Sequence, residues 1–129
     1  MKALQLLLIE DDPDSAEAIR LLLGTEGITT EWAGSAEEAL AHFQADPPSR
    51  FDVILLDLRL PDLDGETLIA RMAELAPLPA IIVHSAAPQA ETQAAARRMG
   101  ALAVLRKPTD WGKLRHLLES VDAAETGRY

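Results

Sequence analysis

Several residue types and features are rare or missing in this sequence of 129 residues. It contains no cysteine, which excludes a disulfide framework and a thiolate metal site and leaves the redox compartment open, with the cytoplasm as the default. No apolar run approaches the roughly 18 to 20 residues of a membrane helix, so we expect no membrane segment. The apolar run at residues 4–9 is too short, and too soon followed by acids, to be a signal peptide.

Positive charge is scarce as well. The chain has 12 Lys and Arg residues against 21 Asp and Glu residues, which gives a net charge of −9. We therefore expect no nonspecific nucleic-acid binding by this domain, because such binding depends on basic side chains that neutralise phosphates. An acidic chain instead suits a pocket that recruits a cation.

The remaining composition is that of one compact domain. Hydrophobic residues make up 48% of the chain and charged residues 26%, so the chain can bury a real core and is not disordered in character. We predict a single domain over residues 1–121, followed by a polar tail or linker over residues 122–129.

Short apolar runs alternate with helical patterns along this domain. Apolar or β-rich runs bounded by turn signals predict five strands, at residues 4–9, 28–33, 53–56, 80–83 and 101–105. Apolar residues at helical spacing predict five intervening or closing helices, at about residues 13–23, 36–43, 65–75, 88–99 and 111–121. This alternation favours a doubly wound parallel α/β sheet with right-handed crossovers, whose strand order the pattern leaves open.

Local signals predict where some helices begin and end. Asp12 is a suitable N-cap ahead of Pro13 at the first helical position. Ser35, with Glu38 three residues later, has the spacing of a capping box. The run at residues 46–48 (Asp-Pro-Pro) is predicted to end the second helix.

Polar side chains lie just beyond the carboxyl ends of four predicted strands. Because parallel strands end at the same edge of a sheet, these side chains should converge in one crevice. They are the carboxylates of Glu10, Asp11 and Asp12, the carboxylate of Asp57, the hydroxyl of Ser85 and the ammonium of Lys107.

This set of groups suits phosphoryl chemistry at a metal-assisted carboxylate. Crowded carboxylates repel one another by roughly 1 kcal/mol per pair at about 4 Å in water, and a divalent cation removes that cost. Oxygen ligands without an obvious histidine favour Mg²⁺ over zinc. Asp57 could then act as a nucleophile toward phosphorus, while Lys107 and the Ser85 hydroxyl hold the phosphoryl oxygens.

Plainer interpretations apply to several polar residues near or outside this crevice. We interpret Asp12 as a helix N-cap in preference to a metal ligand. His84 should point to the opposite side of its strand from Ser85 and be a packed histidine. His42 and His116 lie on predicted helices and are interpreted as structural.

Four segments of the chain, in this order and spacing, resemble the receiver domains of bacterial two-component response regulators: LLLIEDD, DVILLDLRLPDLDG, IIVHSA and VLRKP. The resemblance covers nearly the whole chain, and the four segments together are very specific. It implies the flavodoxin-like strand order 2-1-3-4-5. It also implies a cis peptide bond between Lys107 and Pro108.

The resemblance further implies a role for each residue at the strand ends. Asp57 would be the phosphoacceptor, and Glu10 and Asp11 would form the acidic pair beside it. Ser85 would be the switch hydroxyl, and Lys107 would be the charge partner of the phosphoryl group.

Two residues near this site matter because they depart from the family pattern. Val104 occupies the place of the aromatic switch residue, three positions before the lysine, so an inward-turning aromatic ring cannot report phosphorylation. Arg59, two positions past Asp57, adds a long cation at the mouth of the pocket that could steer phosphate in or exclude the attacking water.

The resemblance also implies that Mg²⁺ binds through Asp11, Asp57 and the Arg59 backbone carbonyl, with Glu10 acting through water.

These observations favour a phosphoacceptor switch. We expect a histidine kinase or a phosphotransfer protein to phosphorylate Asp57. The face made by the predicted fourth helix, fifth strand and fifth helix would then change its affinity for an effector domain or for a second copy of the chain. The protein would be no enzyme beyond its own phosphorylation and dephosphorylation.

Three other functions compete with this one. A haloacid-dehalogenase-type phosphatase would need a second Asp where Arg59 stands. A pseudo-receiver, which binds partners without being phosphorylated, is opposed by intact Asp57, Ser85 and Lys107, although Arg59 leaves room for it. A nucleotide-binding flavodoxin-like protein is not favoured, because no glycine-rich phosphate loop follows the first strand.

Overall fold

The structure of the chain is a computed structural model that describes residues 4–45 and 50–126, with side chains described up to residue 122. Five parallel strands form one sheet in the order β2-β1-β3-β4-β5, which confirms the predicted order. The strands are β1 Gln5–Ile9, β2 Thr29–Ala33, β3 Val53–Leu56, β4 Ala80–Ser85 and β5 Ala103–Arg106. The helices are α1 Pro13–Thr25, α2 Ala36–Gln44, α3 Gly65–Leu75, α4 Gln89–Met99 and α5 Trp111–Thr126.

The sheet is covered by helices on both faces, which explains why its inner strands are almost entirely apolar. Along β1, Leu7 and Ile9 belong to one core cluster, whereas Leu6 and Leu8 belong to the other. Since side chains alternate across a strand, a strand buried on both sides needs apolar residues at every position. The first cluster includes residues of α2, α3 and α4, and the second includes residues of α1 and α5.

The predicted helix starts are confirmed. The Asp12 carboxylate accepts hydrogen bonds from Ser15 N–H at 3.3 Å and from the Ser15 hydroxyl at 2.7 Å. At α2, the Ser35 hydroxyl accepts from Glu38 N–H at 3.1 Å. The returning bond differs from an ideal capping box, because the Glu38 carboxylate accepts from Gly34 N–H at 3.2 Å.

Strands β1 and β2 each begin one residue later than predicted, and the end of β4 and the start of β5 differ by two residues for identifiable reasons. Strand β4 continues to Ser85, because His84 and Ser85 still pair with β5. Strand β5 begins only at Ala103, since the N–H of Ala101 bonds to the Ala96 carbonyl at 2.9 Å and so closes α4 instead of joining the sheet.

The end of the chain also differs from the prediction. Helix α5 continues to Thr126, beyond its predicted end at residue 121, while residues 127–129 lie outside the described residues. The domain boundary at residue 121 and the tail or linker after it stay predictions. The helix-ending run predicted at residues 46–48 also lies outside the described residues. In the part of the chain that the structure describes, no helix combines the length and the apolar character needed to cross a membrane.

Candidate functional site

An acidic cluster lies at the carboxyl edge of the sheet, where the sequence predicted a crevice. One carboxylate oxygen from each of Glu10, Asp11 and Asp57 lies within 4.8 Å of the others. The Lys107 ammonium joins them, with its Nζ 2.6 Å from Glu10 Oε1 and 3.0 Å from Asp57 Oδ2. The structure therefore brings together four of the residues that the sequence placed at the strand ends.

Asp57 is fixed by the strand before it and the loop after it. Its backbone N–H bonds to the Ile9 carbonyl at 2.9 Å, which continues the β1–β3 pairing. Its Oδ1 accepts a hydrogen bond from Arg59 N–H at 3.1 Å, so one carboxylate oxygen meets the loop while the other meets Lys107. The side chain is almost fully buried.

The loop after Asp57 is held tightly against the start of α3. The Gly65 N–H bonds to the Leu58 carbonyl at 2.9 Å. A Cβ atom at Gly65 would lie only 3.1 Å from Leu58 Cα and 3.3 Å from Leu56 Cδ2. Glycine therefore permits this close approach, and the loop is fixed in position beside the carboxylate.

Glu10 is buried and is held from several directions. Its Oε2 accepts from Asp12 N–H at 3.2 Å, and its backbone carbonyl accepts from the Trp32 indole N–H at 2.8 Å. Burial raises the pKa of Glu10 above its ordinary value, and this effect outweighs the lowering by the Lys107 ammonium. The Trp32 contact was missed by sequence reasoning, because a tryptophan in an edge strand carries no signal of its partner.

Lys107 is the positive charge of the cluster. Burial alone would lower its pKa, but the hydrogen bonds to Glu10 and Asp57 raise the pKa of Lys107 above its ordinary value. The lysine is therefore charged at neutral pH. One ammonium against three carboxyl groups leaves the cluster able to accept a further cation, and oxygen donors are the ligands that Mg²⁺ prefers.

Ser85 and Asp12 lie beside the cluster and have other hydrogen-bond partners. The Ser85 hydroxyl, buried at the end of β4, accepts a hydrogen bond from Ala87 N–H at 3.0 Å. Asp12 caps α1, as predicted, and is not one of the three clustered carboxylates. His84 is buried and its Nε2 lies 2.8 Å from the Thr109 hydroxyl, which confirms that it is a packed histidine.

The two positions that depart from the family pattern face different surroundings. The Arg59 guanidinium lies 3.6 Å from Glu91 Oε2 at the start of α4, and both side chains are largely exposed. Val104 is partly buried and packs against the core cluster shared by α2, α3 and α4. A small aliphatic side chain therefore occupies the position on β5 at which the family pattern has an aromatic ring.

Comparison with known proteins identifies the family. A model of the response regulator receiver domain matches residues 6–119. The chain belongs to this family. The solved structure of a CheY-like response regulator receiver domain protein from Methanospirillum hungatei superposes with a TM-score of 0.84 at 26% identity, covering 98% of this chain and 99% of that one.

Curated relatives of this receiver domain differ in length. The response regulator protein PilR of Pseudomonas aeruginosa is 32% identical over 112 residues, which cover 87% of this chain but only 24% of PilR. A 14.6 kDa protein of Leptolyngbya boryana, named for the sodA1 3′ region, is 34% identical over 110 residues and is matched over 81% of its length. The chain thus spans about a quarter of one relative and most of another.

Proposed function

We propose that this receiver domain accepts a phosphoryl group on the Asp57 carboxylate from a histidine kinase or a phosphotransfer protein. The observation that carries the proposal is the pairing of Asp57 Oδ2 with the Lys107 ammonium, next to two further carboxylates. In the reaction, a carboxylate oxygen forms a bond to phosphorus as the phosphorus–nitrogen bond of the donor phosphohistidine breaks, and the imidazole leaves.

The acidic cluster fits Mg²⁺. Asp11 and Asp57 would hold the ion together with the Arg59 backbone carbonyl, and Glu10 would hold it through water. When bound, the ion supplies positive charge that offsets the negative charge of the carboxylates and of the incoming phosphoryl group. Burial raises the pKa of Glu10 above its ordinary value and the Lys107 ammonium offsets this only in part, so a divalent cation beside Glu10 would favour its charged form.

Lys107 and Ser85 would act on the phosphoryl oxygens. The Lys107 ammonium already lies at Asp57 and supplies a point charge with three donors. The Ser85 hydroxyl accepts from Ala87 N–H, which leaves its own proton free to be donated to a phosphoryl oxygen. Movement of Ser85 toward that oxygen would be the first step of the switch.

The proposed output is a change in the α4–β5–α5 face, read by an effector domain or by a second copy of the chain. Receiver domains are generally phosphoacceptors without classical enzymatic activity, and we extend this to the present chain. A phosphatase would need a general acid two residues past Asp57, and the guanidinium of Arg59 does not give up its proton. Its contact with Glu91 also directs it toward α4.

Intact mass after incubation with acetyl phosphate and Mg²⁺ tests the proposal. Wild type should gain one phosphoryl group, and no adduct should form when a chelator removes Mg²⁺ from the incubation. Asp57→Asn should gain none. Asp52→Asn is the matched control, because Asp52 lies at the opposite end of β3 and its carboxylate bonds to Gln5 N–H. No adduct on wild type, with no spectral response to beryllofluoride, would instead favour a pseudo-receiver.

A further inference from the structure

His84 is a buried polar side chain that the proposed chemistry does not use. It lies on β4 immediately before Ser85 and is only 2% exposed. Neighbouring residues Ile82 and Leu105 belong to the apolar cluster under α1 and α5. A polar group in such surroundings costs free energy unless it is hydrogen-bonded, and the imidazole meets this need through Thr109.

The partner of His84 lies in the loop that carries the lysine. Thr109 follows Lys107 by two residues, and its Oγ1 is 2.8 Å from His84 Nε2. The lysine is also held by its own backbone, because the N–H of Lys107 bonds to the Ser85 carbonyl at 3.1 Å. The β5–α5 loop is thus attached to two consecutive residues of β4, once through the backbone and once through the imidazole.

This double attachment fixes the point from which the lysine side chain extends. A lysine has a flexible four-carbon stem, so where its ammonium lies depends on where its backbone is held. Here the ammonium must reach both Glu10 and Asp57, at 2.6 and 3.0 Å. A displacement of about 1 Å in such a group can lower a reaction rate by about a hundredfold.

The imidazole is suited to this role because it is neutral. Burial, and to a smaller extent the Lys107 ammonium, lowers the pKa of His84 to about 4, against an opposing effect of Asp57. At neutral pH His84 therefore binds the hydroxyl without adding a second positive charge that would compete with Lys107 for the carboxylates.

We propose that the hydrogen bond between His84 and Thr109 positions the Lys107 ammonium at the phosphoryl site, which makes His84 and Thr109 positioning residues for phosphorylation of Asp57. The inference rests on the proposed function. It concerns two residues, one on β4 and one in the β5–α5 loop, that touch none of the reacting atoms and act only through the lysine.

The test measures beryllofluoride affinity in saturating Mg²⁺, Mg²⁺ affinity alone, and the rate of phosphorylation by acetyl phosphate. Thr109→Val removes the hydroxyl with little change in shape. It should lower beryllofluoride affinity and the phosphorylation rate about tenfold, while Mg²⁺ affinity stays within twofold of wild type. His84→Leu should act in the same direction. His84→Gln, which can place an amide near the position of Nε2, should recover most of the loss.

Two comparisons separate positioning from general damage. Thr29→Val, on the edge strand β2 far from the carboxyl edge, should leave all three quantities unchanged. In a Lys107→Ala background, Thr109→Val should have no further effect, because the residue whose position it controls is gone. An equal loss in both backgrounds, or an unchanged affinity in Thr109→Val alone, would overturn the inference while leaving phosphorylation of Asp57 intact. Failure of wild type to bind beryllofluoride would overturn the proposed function as well.

Discussion

At the scale of single residues, His84 shows how burial and charge together set a side chain's chemistry. The pKa of His84 is lowered to about 4, first by burial and then by the nearby Lys107 ammonium, against an opposing effect of Asp57. In the unfolded chain the same imidazole titrates near its ordinary value of 6.5. Between these two values the unfolded state binds a proton that the folded state does not, so acidification in this window favours unfolding.

This difference predicts that the free energy of unfolding falls as the pH is lowered from 7 to 5. His84 should contribute about 2 kcal/mol of that fall. The measurement is urea unfolding of wild type and His84→Gln at both pH values. The variant should lose less stability on acidification, whereas the matched control His116→Gln, at an exposed position on α5, should behave as wild type. Equal pH dependence in wild type and His84→Gln would show that the imidazole titrates normally in the folded protein.

Residue by residue, the sequence predicted which side chains meet at the edge of the sheet better than it predicted their hydrogen bonds. Asp57, Glu10, Asp11 and Lys107 could be predicted, because each follows a buried strand and parallel strands end at one edge. The hydrogen bond between Thr109 and His84 could not be predicted, since neither residue type nor spacing specifies which loop hydroxyl meets a buried imidazole.

At the scale of elements, the sequence predicted strands and helix starts well because each depends on local chemistry. Buried strands require apolar residues, and N-caps require short polar side chains. What could not be predicted are contacts between distant elements. The Asp62 carboxylate, in the loop after β3, accepts from Ala36 N–H at 2.9 Å and Glu37 N–H at 3.0 Å, so a residue of the site loop caps α2 as well.

Helix α4 has two charged links to its neighbours that the sequence did not indicate. Arg98 bonds through two nitrogens to the Glu66 carboxylate of α3, at 2.9 and 2.6 Å. Arg59 lies 3.6 Å from Glu91 and so connects the site loop to the start of α4. Both links are on the surface, where an ion pair contributes about 0 to 1 kcal/mol. Weak links of this kind can be exchanged when a new charge is placed beside them.

We predict that Arg59 changes partners when a phosphoryl group occupies Asp57. Glu91→Gln should free the guanidinium to approach the phosphoryl group and raise beryllofluoride affinity about threefold, which corresponds to about 0.6 kcal/mol. Arg59→Ala should lower that affinity, and the double variant should equal Arg59→Ala. The gain in Glu91→Gln should shrink in high salt, because the charges involved are exposed. An unchanged affinity in both single variants would mean that Arg59 stays away from the phosphoryl group.

At the scale of the whole molecule, the fold brings acidic side chains together in a chain whose basic residues do not neutralise its negative charge. The chain carries a net charge of −9, and three carboxyl groups meet at one edge of the sheet. A ligand that binds only the folded state stabilises it by an amount set by its concentration relative to its dissociation constant. Mg²⁺ should therefore stabilise the folded protein at a site that exists only when the strand ends are assembled.

We predict that Mg²⁺ at ten times its dissociation constant raises the free energy of unfolding by about 1.4 kcal/mol. Asp11→Asn should abolish most of this gain, because it removes a carboxylate from the cluster. Glu74→Gln, which removes one negative charge from the exposed surface of α3, is the matched control and should retain the full gain. Thermal unfolding at constant ionic strength, with Mg²⁺ or with a chelator, measures the difference. If Glu74→Gln lost the gain as Asp11→Asn does, Mg²⁺ would be acting through the overall negative charge of the chain and not through the carboxylates at the edge of the sheet.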